Sequence, residues 1–263
     1  MIVILPVHTG IFMKHQVLLF CSILLVLISC KAHYSGTAES ISYYSPGQTH
    51  MLAVDSAIVR EIQPYQAKLN EVMNDVLAFS EQHMEKGKPE STLGNFVADL
   101  CFEIGVKKYK TNDQHSIDFC VLNNGGLRSS LPAGAITRKN VFELMPFENE
   151  LVVLTLPGKA VESLLQYIAG KGGVPVSNLR MKISKDVFSE AVINGQEFNS
   201  SLEYKILTSD YLASGGDGMD MFKQNTKSEP VNCKVRDAII EYLEMINQRN
   251  EKVISKKDGR ISE

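Results

Sequence analysis

The chain has 263 residues, a formal net charge of −3 and a hydrophobic content of 44%. This length and composition suffice for one sizeable core or two small ones, which excludes a disordered chain. Its 27 lysine and arginine residues are spread along the sequence without long runs. Nucleic-acid binders concentrate basic residues on one face, so we expect no nucleic-acid partner.

The N-terminal segment has the pattern of a secretory signal. A short region carrying Lys14 begins at Met13, and an apolar stretch from Val17 to Ile28 follows, which is short for a membrane span. The tetrapeptide Leu27-Ile28-Ser29-Cys30 resembles a bacterial lipobox. The alternative is a plain signal peptide in which the cysteine occurs by chance. Because the pattern begins at Met13, translation could start there instead of at Met1.

This pattern implies a plan for the whole chain. We expect residues 1–30 to form a lipoprotein signal peptide that ends at a lipidated Cys30, residues 31–54 to be a linker, and residues 55–263 to form the folded domain. The protein would then be exported and anchored to the bacterial cell envelope, at the outer membrane or the periplasmic face. Attachment would come from the lipid, because the chain is slightly acidic.

The first predicted elements of the domain are helical. In residues 55–84 the apolar side chains recur at helical spacing, which predicts one or two helices with Pro64 near a start or a break. Ser91 or Thr92 is available as the N-cap of a further helix over residues 93–109.

Later elements alternate between strands and helices. The predicted elements are a strand in SIDFCVLNNGG (116–126), a short helix at 137–145, a buried strand at 150–156, a helix opening at Pro157-Gly158, strands at 176–184, 187–193 and 202–209 with a hairpin turn at Asn194-Gly195, and a last helix at 235–246. No regular strand-helix-strand repeat is present. We therefore predict an α+β fold, a single domain with a mixed β-sheet flanked by helices.

The cysteines do not indicate a disulfide framework. Of the five, Cys21 and Cys30 belong to the signal, which leaves Cys101, Cys120 and Cys233. An odd remainder argues against paired bridges, and the three lack the close spacing of a zinc site. Cys101 lies in a helical pattern and Cys120 in a strand pattern, so buried, inert thiols are expected.

Three loops combine backbone freedom with groups that recognise ligands. The first, NNGGLR, runs from Asn123 to Arg128; its glycines Gly125 and Gly126 permit close approach of a ligand to the backbone, and the arginine fork suits phosphate or carboxylate. A tight turn with a surface arginine is an equally open interpretation. The second, MPFEN at 145–149, proves little by itself, since Phe147 could belong to the core.

The third loop, YLASGGDG, follows the predicted strand 202–209. Glycine and aspartate are ordinary turn residues, so the loop could be only a turn. A ligand site would instead use Tyr211 as a stacking face and Asp217 as a two-point acceptor, with Gly215 and Gly216 beside them. That pair suits a ribose diol beneath a base, because bases stack on aromatic rings with little regard to base identity.

In this order and separation, NNGGLR, MPFEN and YLASGGDG resemble the C-terminal domain of the 5′-nucleotidase/UDP-sugar hydrolase family. Further similar segments are ESTLGNFVAD at 90–99, PAGAITRKNVFELMPF at 132–147, LPGKAVESLL at 156–165 and DGRI at 258–261. The resemblance extends from about residue 55 to the end of the chain. Each motif alone is common, whereas the ordered set is specific.

The resemblance implies a role for each loop residue. In the family, two aromatic rings sandwich the base, which correspond here to Phe147 and Tyr211, the latter in place of the commoner phenylalanine. The family's ribose-binding aspartate corresponds to Asp217, and its phosphate-facing arginine to Arg128. The substrate-binding set implied in this way is Asn123, Gly125, Gly126, Arg128, Phe147, Asn149, Tyr211, Gly215, Gly216 and Asp217.

The sequence departs from the family pattern at two arginine positions. Pro89 stands where many members have an arginine before the Glu-Ser segment, and Asn95 stands where some have one after Leu-Gly. Each lost guanidinium removes a bidentate phosphate contact. We therefore expect the phosphate to be bound more weakly, and contacts with the nucleoside to contribute more of the affinity.

Family enzymes also carry an N-terminal metallophosphoesterase domain with two metal ions, for which residues 55–263 offer no counterpart. The tripeptide Asp113-Gln114-His115 has the form of its first metal motif but lacks the companion motifs. We expect no catalytic residue, metal or cofactor in this chain, and a divalent metal pair in a separately encoded metallophosphoesterase partner. The chain would be the nucleotide-recognition half of a split 5′-nucleotidase. The alternative is a stand-alone surface lipoprotein that binds nucleosides or nucleotides without hydrolysis; an enzyme active unaided is the weakest hypothesis.

Overall fold

The computed structural model describes residues 55–111 and 115–263. The signal peptide, Cys30 and the linker lie outside the described residues, as does Asp113. Residues Ser56–Glu263 form one compact unit.

Helices and strands are interleaved along this unit. The helices are α1 (Ser56–Met73), α2 (Thr92–Lys108), α3 (Arg138–Leu144), α4 (Gly158–Gly170), α5 (Asp210–Ala213) and α6 (Val235–Gln248). The strands are β1 (Val76–Ser80), β2 (Phe119–Val121), β3 (Gly134–Thr137), β4 (Glu150–Pro157), β5 (Val176–Ser177), β6 (Leu179–Ser184), β7 (Val187–Ile193), β8 (Gln196–Glu197), β9 (Glu203–Ser209), β10 (Lys227–Lys234) and β11 (Ile261–Ser262). Short 3-10 turns at Gly216–Gly218 and Asp220–Gln224 follow α5.

Of the one or two helices predicted in residues 55–84, one forms, and the apolar positions near the end of this range belong to a strand instead. Helix α1 stops at Met73, and Val76–Ser80 forms β1, which pairs antiparallel with β3. The apolar spacing continues across the junction, but Leu77 and Ala78 are buried and Ala78 pairs with Ile136 of β3, so tertiary pairing overrides the helical period. Pro64 does not end α1 either; the helix continues through it, and no residue of α1 is buried.

The largest sheet is mixed, as predicted. Its five strands lie in the order β10-β4-β9-β2-β5, with β2 and β9 parallel and the other neighbours antiparallel. A four-stranded sheet, β11-β6-β7-β8, contains the predicted hairpin turn at Asn194-Gly195, where both residues have positive φ. The prediction of an α+β fold with a mixed sheet flanked by helices is confirmed.

Both faces of the five-stranded sheet are buried. Cys120 and Leu207 point into one cluster of buried residues with α2 and α6, whereas Phe119 and Ile206 point into another with α4. Successive residues of a strand face opposite sides, so β2 and β9 are covered by helices on both faces. The apolar residues of β2 and β9 are therefore consistent with strands that lie inside the sheet and are covered on both faces.

The predicted helix caps form where the sequence places them. Ser91 accepts a hydrogen bond from the backbone N–H of Gly94 at 2.9 Å at the start of α2. Thr137 and Asn140 form a reciprocal capping box at the start of α3. Such caps satisfy N–H groups that lack a helical partner, and they fix where each helix begins.

The C-terminal segment is held by ion pairs of the buried Arg260 and by the buried carboxylate of Glu90. Arg260 is 9% exposed and makes a bidentate contact with Asp99 of α2, at 2.7 and 2.9 Å, and a further one with Asp258. Glu90 accepts from the backbone N–H of Gly259 at 2.9 Å. These contacts bind the DGRI segment (258–261) to the ESTLGNFVAD segment (90–99), which is far from it in the sequence.

Candidate functional site

The topology of the large sheet brings the three loops together. Strands β2 and β9 are parallel neighbours, so the loops that follow them, 123–128 and 211–218, leave the same edge of the sheet. Strand β4 is antiparallel to β9, so the loop 145–149 that precedes it lies at that edge as well. Crevices outside the carboxyl ends of parallel strands are common ligand sites.

A cavity of about 320 Å³ lies between these loops. It is lined by Leu122, Asn123, Gly125, Gly126, Leu127, Arg128, Met145, Phe147, Asn149, Ser209, Tyr211, Asp217 and Val235. Most of this surface is apolar, with a few polar groups converging on it, which is the composition typical of small-molecule sites. The structure thus brings together the predicted site residues of all three loops.

Two aromatic side chains stand exposed at the cavity. Phe147 is 41% exposed and Tyr211 is 47% exposed, although both belong to a fold whose other large apolar side chains are mostly buried. Phe147 therefore does not belong to the core, the other interpretation open to it. Exposed aromatic faces that line one cavity are suited to stacking on a planar ligand.

Asp217 is bound at every polar atom. Its carboxylate accepts from Asn123 Nδ2 at 2.6 Å and from the Tyr211 hydroxyl at 2.8 Å. Its backbone N–H donates to the Tyr211 hydroxyl at 3.2 Å, and its carbonyl accepts from the Tyr167 hydroxyl at 2.7 Å. The carboxylate lines the cavity and is held there by hydrogen bonds from the first loop and from Tyr211.

Gly215 and Gly216 do not line the cavity but shape the loop that does. Gly215 has φ of 90°, a conformation that favours glycine. A Cβ at Gly216 would lie 2.5 Å from the Tyr211 ring, so only glycine lets the loop fold against that ring. The two glycines are thus outside the cavity lining, and Gly216 allows the loop to pack against the Tyr211 ring.

The loop at 145–149 is held by Arg236, at the start of α6. The guanidinium donates to the carbonyls of Met145 at 3.4 Å and Phe147 at 3.3 Å, pairs with Glu148, and lies 4.3 Å from the centre of the Phe142 ring. Arg236 is buried. Sequence reasoning missed it because it belongs to no loop motif, and only the fold places it beneath the loop.

Hydrogen bonds to charged groups shift the pKa values of Glu148 and Tyr211. The pKa of Glu148 is lowered to about 2, mainly by its hydrogen bond to Arg236 and secondarily by Lys234. The pKa of the Tyr211 hydroxyl is raised, chiefly by its hydrogen bond to the Asp217 carboxylate. Both directions follow from hydrogen bonds that favour one protonation state, and they leave Glu148 charged and Tyr211 neutral at neutral pH.

The family described as "5′-nucleotidase, C-terminal domain" matches residues 70–224, more than half of the chain. This chain belongs to the 5′-nucleotidase C-terminal domain family. Curated relatives include a 5′-nucleotidase of Vibrio vulnificus, 28% identical over 174 residues, which cover 62% of this chain and 30% of the relative. Protein UshA of Yersinia enterocolitica is 28% identical over 220 residues, covering 80% of this chain and 37% of that protein.

Solved structures agree on the fold. The 5′-nucleotidase precursor of Thermus thermophilus matches with a TM-score of 0.62 at 24% identity, over 78% of this chain and 42% of that one. The Haemophilus influenzae NAD nucleotidase matches with a TM-score of 0.58 at 14% identity, over 80% of this chain and 42% of that one. The chain spans about a third of the length of the curated relatives named above.

Within this 5′-nucleotidase C-terminal domain, Arg128 is the cation of the cavity wall. Its side chain is exposed and donates from one guanidinium nitrogen to the carbonyl of Gly125 at 3.3 Å. The backbone N–H of Arg128 donates to the carbonyl of Leu144 at 2.8 Å, which joins the first loop to the end of α3. The guanidinium is therefore positioned at the cavity with donors remaining for an anion.

The two departures from the family's arginine pattern lie away from the cavity lining. Asn95 is 2% exposed, and its Nδ2 donates to Glu90 at 3.0 Å and to the carbonyl of Lys256 at 2.9 Å. It is a structural amide in the contact between α2 and the C-terminal segment. Pro89 is likewise no part of the lining. The weaker phosphate grip expected from these positions stays a prediction.

The described residues do not fit a dimetal centre. Residues 55–111 and 115–263 contain no group of three or more histidine, cysteine, aspartate or glutamate side chains arranged to hold a metal ion. His115 Nε2 lies 3.1 Å from Asp118 Oδ1 as a pair. Over the same residues, no helix combines the length and the apolar character needed to cross a membrane.

Cys101, Cys120 and Cys233 are free and buried, as the sequence predicts for the first two. Burial is the largest cause that raises the pKa of each thiol. Thiols rather than thiolates are therefore present at neutral pH, and thiols are poor nucleophiles and metal ligands. These cysteines contribute packing to the core.

Proposed function

We propose that this chain binds a nucleotide or nucleoside in the cavity between its three loops, as the recognition component of a 5′-nucleotidase-type hydrolase. The observation that carries the proposal is the set of groups on one cavity: the exposed rings of Phe147 and Tyr211, the oriented carboxylate of Asp217 and the guanidinium of Arg128. Each matches one part of a nucleotide.

Each part of the ligand has a physical partner. A base would stack on the two rings, an interaction worth roughly 1–3 kcal/mol per base. The ribose hydroxyls would donate to Asp217, whose oxygens retain lone pairs beyond those used by Asn123 and Tyr211. A phosphate would accept from Arg128, which offers a charge-assisted contact.

Catalysis would belong to a complex with a separately encoded metallophosphoesterase. Hydrolysis of a phosphate ester benefits from a metal pair that activates water and stabilises the leaving oxygen, and the described residues contain no cluster of ligands suited to such a pair. The matched region covers about a third of each of the curated relatives named above. This chain would bind the nucleoside and orient its phosphate toward that component, in nucleotide catabolism.

We also propose that the protein is exported and anchored to the cell envelope by lipid on Cys30. The signal pattern of residues 13–30 supports this, together with the polar linker that follows. Recognition would then take place outside the cytoplasm.

The test is calorimetric titration of the purified full chain with adenosine, guanosine, uridine, cytidine and AMP. Phosphate release from AMP is then measured with and without Mg²⁺ or Mn²⁺, and again with a metallophosphoesterase encoded beside this chain. Binding by the chain alone, with turnover only in the mixture, is expected. Absence of binding by all five ligands would overturn the proposal. Binding with no turnover in any mixture would favour a binding lipoprotein instead.

A further inference from the structure

Tyr167 lies outside the cavity, yet it is bonded to the residue on which ribose recognition would depend. Its hydroxyl donates to the backbone carbonyl of Asp217 at 2.7 Å. Tyr167 belongs to α4, a helix that no loop motif includes, and it does not line the cavity. Any influence on a ligand must therefore act through Asp217.

Asp217 needs such support because of its backbone. It has φ of 55°, in the left-handed region, and lies between Gly215 and Gly218, whose φ values are 90° and 83°. A residue with a side chain is uncommon in this region, and surrounding contacts must hold it there. The loop also gives Asp217 no burial, since its side chain is exposed. Hydrogen bonds are what define its position.

The bonds to Asp217 divide into two groups. Asn123 and Tyr211 bind the carboxylate, and both line the cavity, so a ligand can displace or rearrange those bonds. Tyr211 also accepts from the backbone N–H of Asp217, whereas the Tyr167 bond goes to the backbone carbonyl. It leaves the carboxylate lone pairs unused and persists while a ligand occupies them.

Helix α4 is a rigid support for this bond. Neighbours of Tyr167 on the helix, Leu164, Leu165 and Ile168, are fully buried against the large sheet. The Tyr167 ring itself is partly buried and packs against the same cluster, with Lys171 Nζ 5.3 Å from its centre. The hydroxyl is thus fixed relative to the sheet edge from which the loops extend.

We infer that Tyr167 is a positioning residue for ribose recognition, which holds Asp217 in the geometry that receives the 2′ and 3′ hydroxyls of a nucleoside. This inference rests on the proposed function and deepens it. Loss of the hydroxyl releases the backbone of the loop at residues 215–218 but removes no contact with the ligand. The effect must therefore appear in ligands that carry a ribose diol and be absent from ligands that lack it.

The experiment compares Tyr167→Phe with wild-type full chain and with a matched control, Tyr204→Phe. The Tyr204 hydroxyl also bonds to the backbone of a loop residue, donating to the carbonyl of Asn199 at 3.1 Å and accepting from its N–H at 2.8 Å, away from the cavity. Each protein is titrated with adenosine and with 2′,3′-dideoxyadenosine. Thermal unfolding reports whether each variant is folded.

For Tyr167→Phe we expect Kd for adenosine to rise roughly three- to tenfold, the effect of one net hydrogen bond, with Kd for the dideoxy compound unchanged within about twofold. Tyr204→Phe should change neither value. Hydrogen exchange of the peptide containing residues 214–219 should become faster in Tyr167→Phe alone.

Two results for Tyr167→Phe would overturn the inference while leaving the proposed function intact. One is an equal rise in Kd for both ligands. The other is an unchanged Kd for adenosine together with unchanged hydrogen exchange of residues 214–219. If wild-type protein binds neither adenosine nor the other nucleosides, the proposed function fails, and the inference fails with it. The two failures are thus distinguished by the wild-type titration.

Discussion

Asn123 and Asp217, 94 residues apart in the sequence, are joined by a hydrogen bond of 2.6 Å between the amide Nδ2 and the carboxylate Oδ2. The bond links the loop after β2 to the loop after β9. A Cβ at Gly125 would lie 3.2 Å from both Asn123 Nδ2 and Asp217 Oδ2, so a side chain there would crowd this link. The bond holds the two loops in one arrangement, which reduces the ordering that ligand binding requires.

Tyr211→Ala should remove most nucleoside affinity and leave the fold intact. The ring provides one stacking surface, and its hydroxyl orients Asp217. We expect Kd for adenosine to rise roughly ten- to hundredfold, as for loss of one aromatic stacking partner. Calorimetric titration measures this, with Tyr65→Ala as the control because Tyr65 is an exposed tyrosine of α1 outside the cavity lining. Unchanged titration curves for Tyr211→Ala would contradict the stacking model.

Arg128→Ala should separate phosphate recognition from nucleoside recognition. Arg128 supplies the cation of the cavity wall, so its loss should raise Kd for AMP by roughly tenfold and change Kd for adenosine by less than about twofold. Lys223→Ala is a suitable control, since Lys223 pairs with Asp220 outside the cavity lining. Equal weakening of both ligands would show instead that Arg128 shapes the first loop.

Arg236→Met should destabilise the protein and weaken binding together. The methionine keeps the apolar stem but removes the donors to the carbonyls of Met145 and Phe147. We expect the free energy of unfolding in urea to fall by about 2 kcal/mol, the cost of leaving buried polar groups without partners. Lys234→Met removes the other partner of Glu148. Because that ion pair is exposed to solvent, the free energy of unfolding should change much less. A similar loss in both variants would argue that the Glu148 pair, not the carbonyl contacts, matters.

The stability of the fold should depend on Glu148 at acid pH. Folding lowers the pKa of this carboxyl from 4.5 to about 2 through Arg236 and Lys234. A group with a depressed pKa in the folded state stabilises fully above its unfolded pKa, and that contribution is lost as pH falls from about 5 to 2. The free energies of unfolding of wild type and Glu148→Gln, measured in urea, should therefore differ above about pH 5 and converge as the pH falls toward about 2. A constant difference at every pH would refute the assignment.

Cys30→Ser should release the protein from the membrane fraction. If Cys30 carries the lipid, the variant loses its attachment, and membrane flotation should find it in the soluble fraction while wild type floats with lipid. Labelling with a radioactive fatty acid reports the modification directly. Cys101→Ser is the control, since Cys101 is a buried core thiol. Flotation of Cys30→Ser equal to wild type would contradict lipid anchoring.

The sequence predicts the elements whose signals are local. Ser91 and Thr137 mark helix starts, and the apolar runs at 150–156 and 202–209 mark strands of the large sheet. Strand β10 was missed because its residues are largely polar and include Pro230; it lies at the edge of the sheet, where proline and exposed side chains are tolerated.

The candidate site shows the same division. The loop residues were identifiable because glycines, aromatic residues and charges occur together in short motifs. Arg236 and Tyr167 were not, since each lies in an ordinary amphipathic helix and reaches the site only through tertiary packing. Their partners are backbone carbonyls, and a carbonyl acceptor leaves no trace in the identity of the residue that carries it.

The segments that carry Phe147 and Tyr211 are both anchored to the same pair of strands. Strands β4 and β9 are paired, with Leu151 opposite Ser209, and the two rings belong to the segments just beyond that pair. Strands in a ladder lie about 4.8 Å apart whatever residues they carry. Substitutions at positions 147, 149 and 211 can therefore change which flat ligand is preferred while the strand pair that anchors both segments stays the same.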